Sequence, residues 1–267
     1  MNSADSAPPR HQAEASSLSR SWRIRHPVHQ WLMRDEVARH ARLWFYVGIA
    51  LLVLSPIVAH FADAAAKNYF EHNPWRNWAK HITGVGEAST YLTLSFGLWV
   101  IAQGVMPKWQ RDRAEAWQRI GRVAGFYLAG FLVSGVYVQL AKSAIGRRRP
   151  IDPGLERVFE FSPLSAHWDF HSFPSGHSQV LMTFAVLTSL LYPRFAWGLA
   201  AMATAAASTR VMVLQHYPSD VMAGLGVGIM GALSLRRIWV WRANANANAN
   251  ANANAPATRG SEHGARQ

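Results

Sequence analysis

The sequence predicts an all-α fold, a bundle of six helices crossing a membrane, on three observations. Half of its 267 residues are apolar and 16% are charged. The apolar residues gather into six runs between residues 43 and 235, and the most polar stretches are pushed to the two ends. A helix needs roughly 20 mostly apolar residues to cross the hydrocarbon core, and the first run alone supplies that length. The chain therefore divides into a basic leader over residues 1–42, a membrane domain over 43–235 and a polar tail over 236–267.

The first run, Leu43 to Ala62, opens on Trp44, Phe45 and Tyr46, an aromatic girdle suited to the membrane interface, and it holds Pro56, which is expected to kink it. This run and the leader before it are both too long for a cleaved signal peptide. The second run, Ala88 to Met106, is expected to end at Pro107, and the third, Val123 to Ile145, carries Lys142 near its far end. The fourth, Gln179 to Tyr192, stops at Pro193. The fifth runs from Phe195 to Leu214, and the sixth, Val221 to Leu235, is rich in glycine. Gly224 and Gly228 are spaced for close helix packing. In the leader, Trp22 to Arg42 mixes apolar and basic residues, as either an amphipathic helix on a membrane surface or a solvated basic segment would. Six Ala-Asn dipeptides from Ala243 to Asn254 have little to bury, so the tail is expected to be disordered.

The chain has no cysteine, which excludes a disulfide framework, a thiolate metal site and a cysteine nucleophile. Its formal net charge of +12 would suit a nucleic-acid binder, but basic residues also collect on the cytoplasmic side of membrane proteins. With both termini inside, six spans put 18 of the 27 Lys and Arg on the cytoplasmic side and nine on the other. No nucleic-acid partner is expected.

Three clusters fall on the less basic face. The first is Lys142-Ser-Ala-Ile-Gly-Arg-Arg-Arg149-Pro150, at the outer end of the third run. Alone it reads as well as a lipid-headgroup surface, although arginine's planar fork and lysine's point charge both suit phosphate oxygens. The second is Phe173-Pro174-Ser175-Gly176-His177, immediately before the fourth run. A helix N-terminus offers unpaired amides and a partial positive charge, so Ser175 and Gly176 can hold an anion beside His177; an ordinary serine cap is the plainer alternative. The third is Thr209-Arg210, His216 and Asp220, around the junction of the fifth and sixth runs. Arg210 sits about one turn inside an apolar run, where an arginine calls for an anionic partner. Pro218 suits the first turn of the sixth helix, which puts His216 at its mouth and Asp220 within reach of the imidazole. Taken together, Lys142, Arg149 and Arg210 supply cations for phosphoryl oxygens, Ser175 and Gly176 add neutral donors, and two histidines offer a nucleophile and an acid.

A zinc site is the competing reading, because His167, Asp169, His171 and His177 crowd into eleven residues. The chain has no His-Glu-x-x-His pattern, and the neighbouring cations would repel a metal, so no metal or other cofactor is expected.

Lys142-x6-Arg149-Pro150, Pro174-Ser175-Gly176-His177 and Thr209-Arg210-x5-His216-x3-Asp220 resemble the three signature motifs of the type-2 phosphatidic acid phosphatase superfamily. The resemblance runs from about Ala88 to Leu235 and departs at Thr209, where the family pattern usually has serine. It implies a six-helix membrane fold in which His216 attacks phosphorus, Asp220 orients it, and His177 protonates the departing oxygen. Lys142, Arg149, Ser175, Gly176 and Arg210 would bind the phosphate. Arg147, between the matched residues of the first motif, is expected to contribute less. Members act on lipid A, undecaprenyl diphosphate, phosphatidylglycerophosphate and phosphatidate, and the segment Phe159 to Phe173 is similar to that of bacterial lipid A phosphatases. The expected partner is thus a lipid phosphate in the outer leaflet of a bacterial inner membrane, with the site on the periplasmic or extracellular face. A phosphotransferase with the same site, a vanadate-dependent haloperoxidase and a non-catalytic lipid-binding protein are the alternatives.

Overall fold

The computed structural model describes residues 31–151 and 158–253, with side chains described to residue 250. Residues 1–30 of the leader and the tail past residue 253 lie outside the described residues. Among the described residues eight α-helices follow in order: α1 (Asp35–Glu71), α2 (Trp75–Ile82), α3 (Ala88–Val100), α4 (Met106–Trp109), α5 (Ala114–Ile145), α6 (Gly176–Leu191), α7 (Ala196–Met212) and α8 (Pro218–Ala253). Among the described residues the only β pairing is an isolated antiparallel bridge between Arg147 and Phe161.

All six apolar runs fall on helical segments. By length and composition, α1, the stretch Arg111–Ile145 and α8 are each able to cross a membrane, and α6 is a shorter apolar helix. Pro107 does not end its helix as expected. The chain passes through a π turn over Ile101–Val105 and continues to Trp109, with Pro107 in the first turn of α4, where a missing N–H costs nothing. The expected disorder of the tail also gives way over residues 236–253. The helix that begins at Pro218 continues through Arg242 to Ala253. Alanine is the strongest helix former, and extending a helix already nucleated by packing carries no new nucleation cost.

Helix α8 is the hub, packed against α1, α6 and α5. Helix α6 lies inside the bundle, with Val186, Leu187 and Leu190 fully buried. A helix apolar on all sides belongs in such a position. The outward faces carry Phe61, Leu94, Trp109 and Met202, all at least two-thirds exposed, which is the surface expected against lipid rather than water. Gly224 and Gly228 make the close approach expected of them: a Cβ at Gly224 would run into the carbonyl of Ser175, and one at Gly228 would lie 2.5 Å from the carbonyl oxygen of Gln179. The first three turns of α8 are thereby pressed onto the N-terminal end of α6, which brings the second and third motifs together.

Candidate active site

The last turn of α5 ends at Gly146, whose φ of 60° is a left-handed conformation that glycine adopts freely, and its N–H closes the helix on Lys142 O at 2.9 Å. A Cβ here would strike the carbonyl of Ser162, so the following chain is able to turn back and pair with residues 160–162 only because position 146 is glycine. Arg148 N donates to Glu160 O at 3.0 Å, Arg149 N to Asp169 O at 2.8 Å, and Ser172 N to Arg147 O at 2.9 Å. In this extended segment, side chains alternate from one face to the other. Arg147 and Arg149 point inward and are buried. Arg148 points the other way, to a two-oxygen contact with Glu160 at 3.0 Å.

Arg149 is clamped from several sides. Its Nε donates to Trp168 O at 3.3 Å, Nη2 to His171 O at 3.1 Å and Nη1 to Gln215 O at 3.1 Å, while the guanidinium lies 4.0 Å from the centre of the Trp168 ring. The same Nη1 is 3.4 Å from His216 Nε2. Lys142 Nζ also donates to His171 O, so the two cations of the first motif converge on one carbonyl. The place where a Gly176 Cβ would stand is 4.0 Å from Lys142 Cε, so this lysine borders the start of α6. Ser175 caps that helix, its Oγ accepting from Ser178 N at 3.4 Å, and its own N–H is held by Asp220 O at 2.9 Å.

His177 lies in the first turn of α6, outside the apolar run that begins at Gln179, and Gly86 packs against it. The same 3-10 turn, Thr83–Gly86, receives Arg210 Nη1 on Thr83 Oγ1 at 2.9 Å. Burial, then the charges of Arg210, Arg149 and Lys142, push the His177 imidazole down to about 4. Burial likewise drives Arg149 down to about 10, reinforced by Arg210. These are the marks of a site crowded with cations: a bound phosphate would offset the repulsion and raise the proton affinity of His177.

His216 is almost wholly buried, and burial brings its imidazole down to about 3 against the upward pull of Asp220. It is therefore neutral at physiological pH, the form a nucleophile needs. Its two nitrogens have distinct surroundings. Nε2 faces Arg149, and Nδ1 faces Asp220 Oδ2 at 3.8 Å, too long for a hydrogen bond. Asp220 is already engaged: Oδ2 accepts from Ser172 Oγ and from Tyr217 N at 2.9 Å, and Oδ1 accepts from Arg147 Nη1 at 2.7 Å.

Arg147 departs most from expectation. It is 2% exposed and turned away from the cluster of His177, Lys142 and Arg149, toward two carboxylates. Nη1 donates to Asp220 Oδ1 and to Ser219 Oγ, both at 2.7 Å, and Nη2 to Asp63 Oδ2 at 2.8 Å. Asp63 is fully buried near the end of α1 and also accepts from Ser219 N at 3.0 Å. Sequence reasoning overlooked Asp63 altogether. The signal was an acidic residue directly after the first apolar run, where an ionisable group needs a partner.

His167, Asp169 and His171 do not form a ligand set with His177; among the described residues no three His, Cys, Asp or Glu side chains gather to hold a metal. His171 instead directs its ring to Ser165 O at 2.9 Å and its carbonyl to Lys142 and Arg149.

The sequence model of the PAP2 superfamily matches residues 123–245. A lipid A 1-phosphatase of Rhizobium johnstonii is 34% identical over 215 residues, 80% of this chain and 84% of that protein. A lipid A 1-phosphatase of Rhizobium etli is 36% identical over 180 residues, 67% of this chain and 73% of the other. A solved transmembrane PAP2-type phosphatidylglycerolphosphate phosphatase of Bacillus subtilis shares 19% identity, covering 80% of this chain and 100% of that one at a TM-score of 0.40.

Proposed function

This chain belongs to the PAP2 superfamily and is a membrane-bound hydrolase of lipid phosphates, and on that premise we propose that it removes phosphate through a phosphohistidine at His216, with a lipid A-type phosphate as substrate. The observation that carries the mechanism is the pairing of Arg149 Nη1 with His216 Nε2 at 3.4 Å, which sets a fixed cation beside the one imidazole nitrogen not turned toward Asp220. The substrate class rests on the two rhizobial relatives named for lipid A 1-phosphate hydrolysis.

Nε2 of neutral His216 attacks phosphorus, the bond from phosphorus to the lipid oxygen breaks, and that oxygen takes a proton from His177, which gained it when the phosphate bound. Water then attacks the phosphohistidine while His177 takes its proton back, and the P–N bond breaks to release inorganic phosphate. Lys142, Arg149 and Arg210 stabilise the equatorial oxygens, and the Ser175 hydroxyl and the Gly176 N–H at the start of α6 add neutral donors. Phosphoryl transfer asks chiefly for alignment and charge stabilisation, and three cations fixed by carbonyls and the Thr83 hydroxyl meet that need without a metal. Activity is accordingly expected to persist in excess EDTA. Loss on chelation with recovery on added zinc would point back to the histidines at 167 and 171.

The proposed arrangement has six spans, both termini in the cytoplasm and the site at the opposite face, in keeping with the distribution of basic residues. An alkaline phosphatase reporter fused after Pro163 is expected to be active outside the cytoplasm, and one fused after Asp112 inactive. The reverse pattern would overturn the outward-facing site.

A further inference from the structure

Asp63 belongs to no motif and lies outside the residues matched by the superfamily, yet it is one of the most enclosed charged groups in the protein. It reaches the candidate site across the bundle, 84 residues from Arg147 and 156 from Ser219. Arg147 is held between two carboxylates, Asp63 at 2.8 Å and Asp220 at 2.7 Å, with the Tyr217 ring 4.1 Å from its guanidinium. Burial of this kind is costly for a simple ion pair, since the desolvation of both partners offsets their attraction. The second carboxylate alters the electrostatics. One cation between two carboxylates leaves the cluster with a net charge of minus one, whereas an Arg147–Asp220 pair alone would be neutral. That negative charge stands beside His216 Nδ1, the nitrogen left without a hydrogen bond. Among the described residues, the charged groups that act on the His216 ring directly are the Asp220 carboxylate and two cations, Lys142 from α5 and Arg149 from the loop.

We propose that Asp63 is a positioning residue for phosphoryl transfer: through Arg147 it fixes the Asp220 carboxylate and keeps the Asp63–Arg147–Asp220 cluster net negative beside His216 Nδ1. The inference rests on His216 being the nucleophile. When Nε2 bonds to phosphorus, the ring with its Nδ1 proton becomes cationic, and the cluster stabilises that cation. Without the Asp63 charge, Arg147 neutralises Asp220, the cation is less favoured, and the phosphohistidine both forms more slowly and is less stable once formed.

Asp63→Asn keeps the size of the side chain and removes the charge. Rapid-quench measurement of both half-reactions on the detergent-solubilised full-length protein, with p-nitrophenyl phosphate, reads the two steps separately. For Asp63→Asn, phosphorylation is expected to slow by about 10- to 100-fold while KM changes less than about threefold and dephosphorylation does not slow. Ser219→Ala, which removes hydrogen bonds from the same network and no charge, is expected to leave phosphorylation within about threefold of the parent rate. Equal slowing of both steps in Asp63→Asn, no slowing of either, or a Ser219→Ala loss as large as that of Asp63→Asn would overturn the proposal. Failure of the underlying mechanism would look different, because the unsubstituted enzyme would then carry no phosphate on His216.

Discussion

Replacing His216 with alanine is expected to abolish phosphoenzyme formation with every substrate and to lower kcat by roughly four orders of magnitude or more, as removal of a covalent nucleophile does in other hydrolases. The loss does not depend on the leaving group, because among the described residues the imidazole nitrogen that meets the Arg149 guanidinium is that of His216. His177→Ala is expected to fail differently. A lipid or sugar leaving group needs its oxygen protonated, so turnover should fall by about 10²- to 10⁴-fold. With p-nitrophenyl phosphate, whose leaving group departs as a stable anion, the first step should survive and the second should slow, since no base remains to activate water. Stopped-flow release of p-nitrophenol separates the cases: a burst followed by a slow steady state for His177→Ala, and no burst for His216→Ala. A burst from His216→Ala would remove it from the nucleophile's role.

The second large effect is expected at Arg149. Lysine keeps the charge but loses the planar fork by which the guanidinium donates to the carbonyls of Trp168, His171 and Gln215 while lying against the Trp168 ring. An ammonium on a flexible stem cannot hold that loop and face the nucleophile at the same time. Arg149→Lys is therefore expected to lower kcat/KM by about 10³-fold, or about 4 kcal/mol of transition-state stabilisation. Arg148→Lys, one residue away, keeps a partly exposed pairing with Glu160 and is expected to cost less than about threefold. Comparable losses at the two positions would mean that the basic run acts on lipid headgroups as a surface and not on the transferred phosphoryl group.

The part of the site legible in the sequence is the part written locally. Lys142, Arg149, Ser175, Gly176, Arg210, His216 and Asp220 sit at or beside helix ends, and the pattern of apolar runs is enough to bring those ends to one side. The glycines at 224 and 228 announced the close contact of α8 with α6 that joins two motifs. What was not legible depends on distant packing. The contact of Asp63 with Arg147 joins the end of the first apolar run to a loop four helices later, and nothing in either segment names the other. The three consecutive arginines held a usable hint, because an extended segment sends the first and third to one face and the second to the other. Of the two inward arginines, Arg149 meets His216, and Arg147 meets Asp220 and Asp63. The spacing of His216 and Asp220 likewise suggested a direct hydrogen bond. Instead the pair stands at 3.8 Å, because Ser172, Tyr217 N and Arg147 already occupy the carboxylate.

The central claim is that phosphorus passes through His216. The most direct measurement is rapid quench of the His177→Ala protein with ³²P-labelled substrate, followed by peptide mapping under alkaline conditions, which preserve phosphohistidine and release phosphate from phosphoserine. Slow dephosphorylation in this variant should let the intermediate accumulate, and the expected result is an acid-labile, base-stable label on the peptide containing His216. Label that is acid-stable and lost in base, as phosphoserine at Ser175 would be, or a labelled and active His216→Ala protein, would contradict the account.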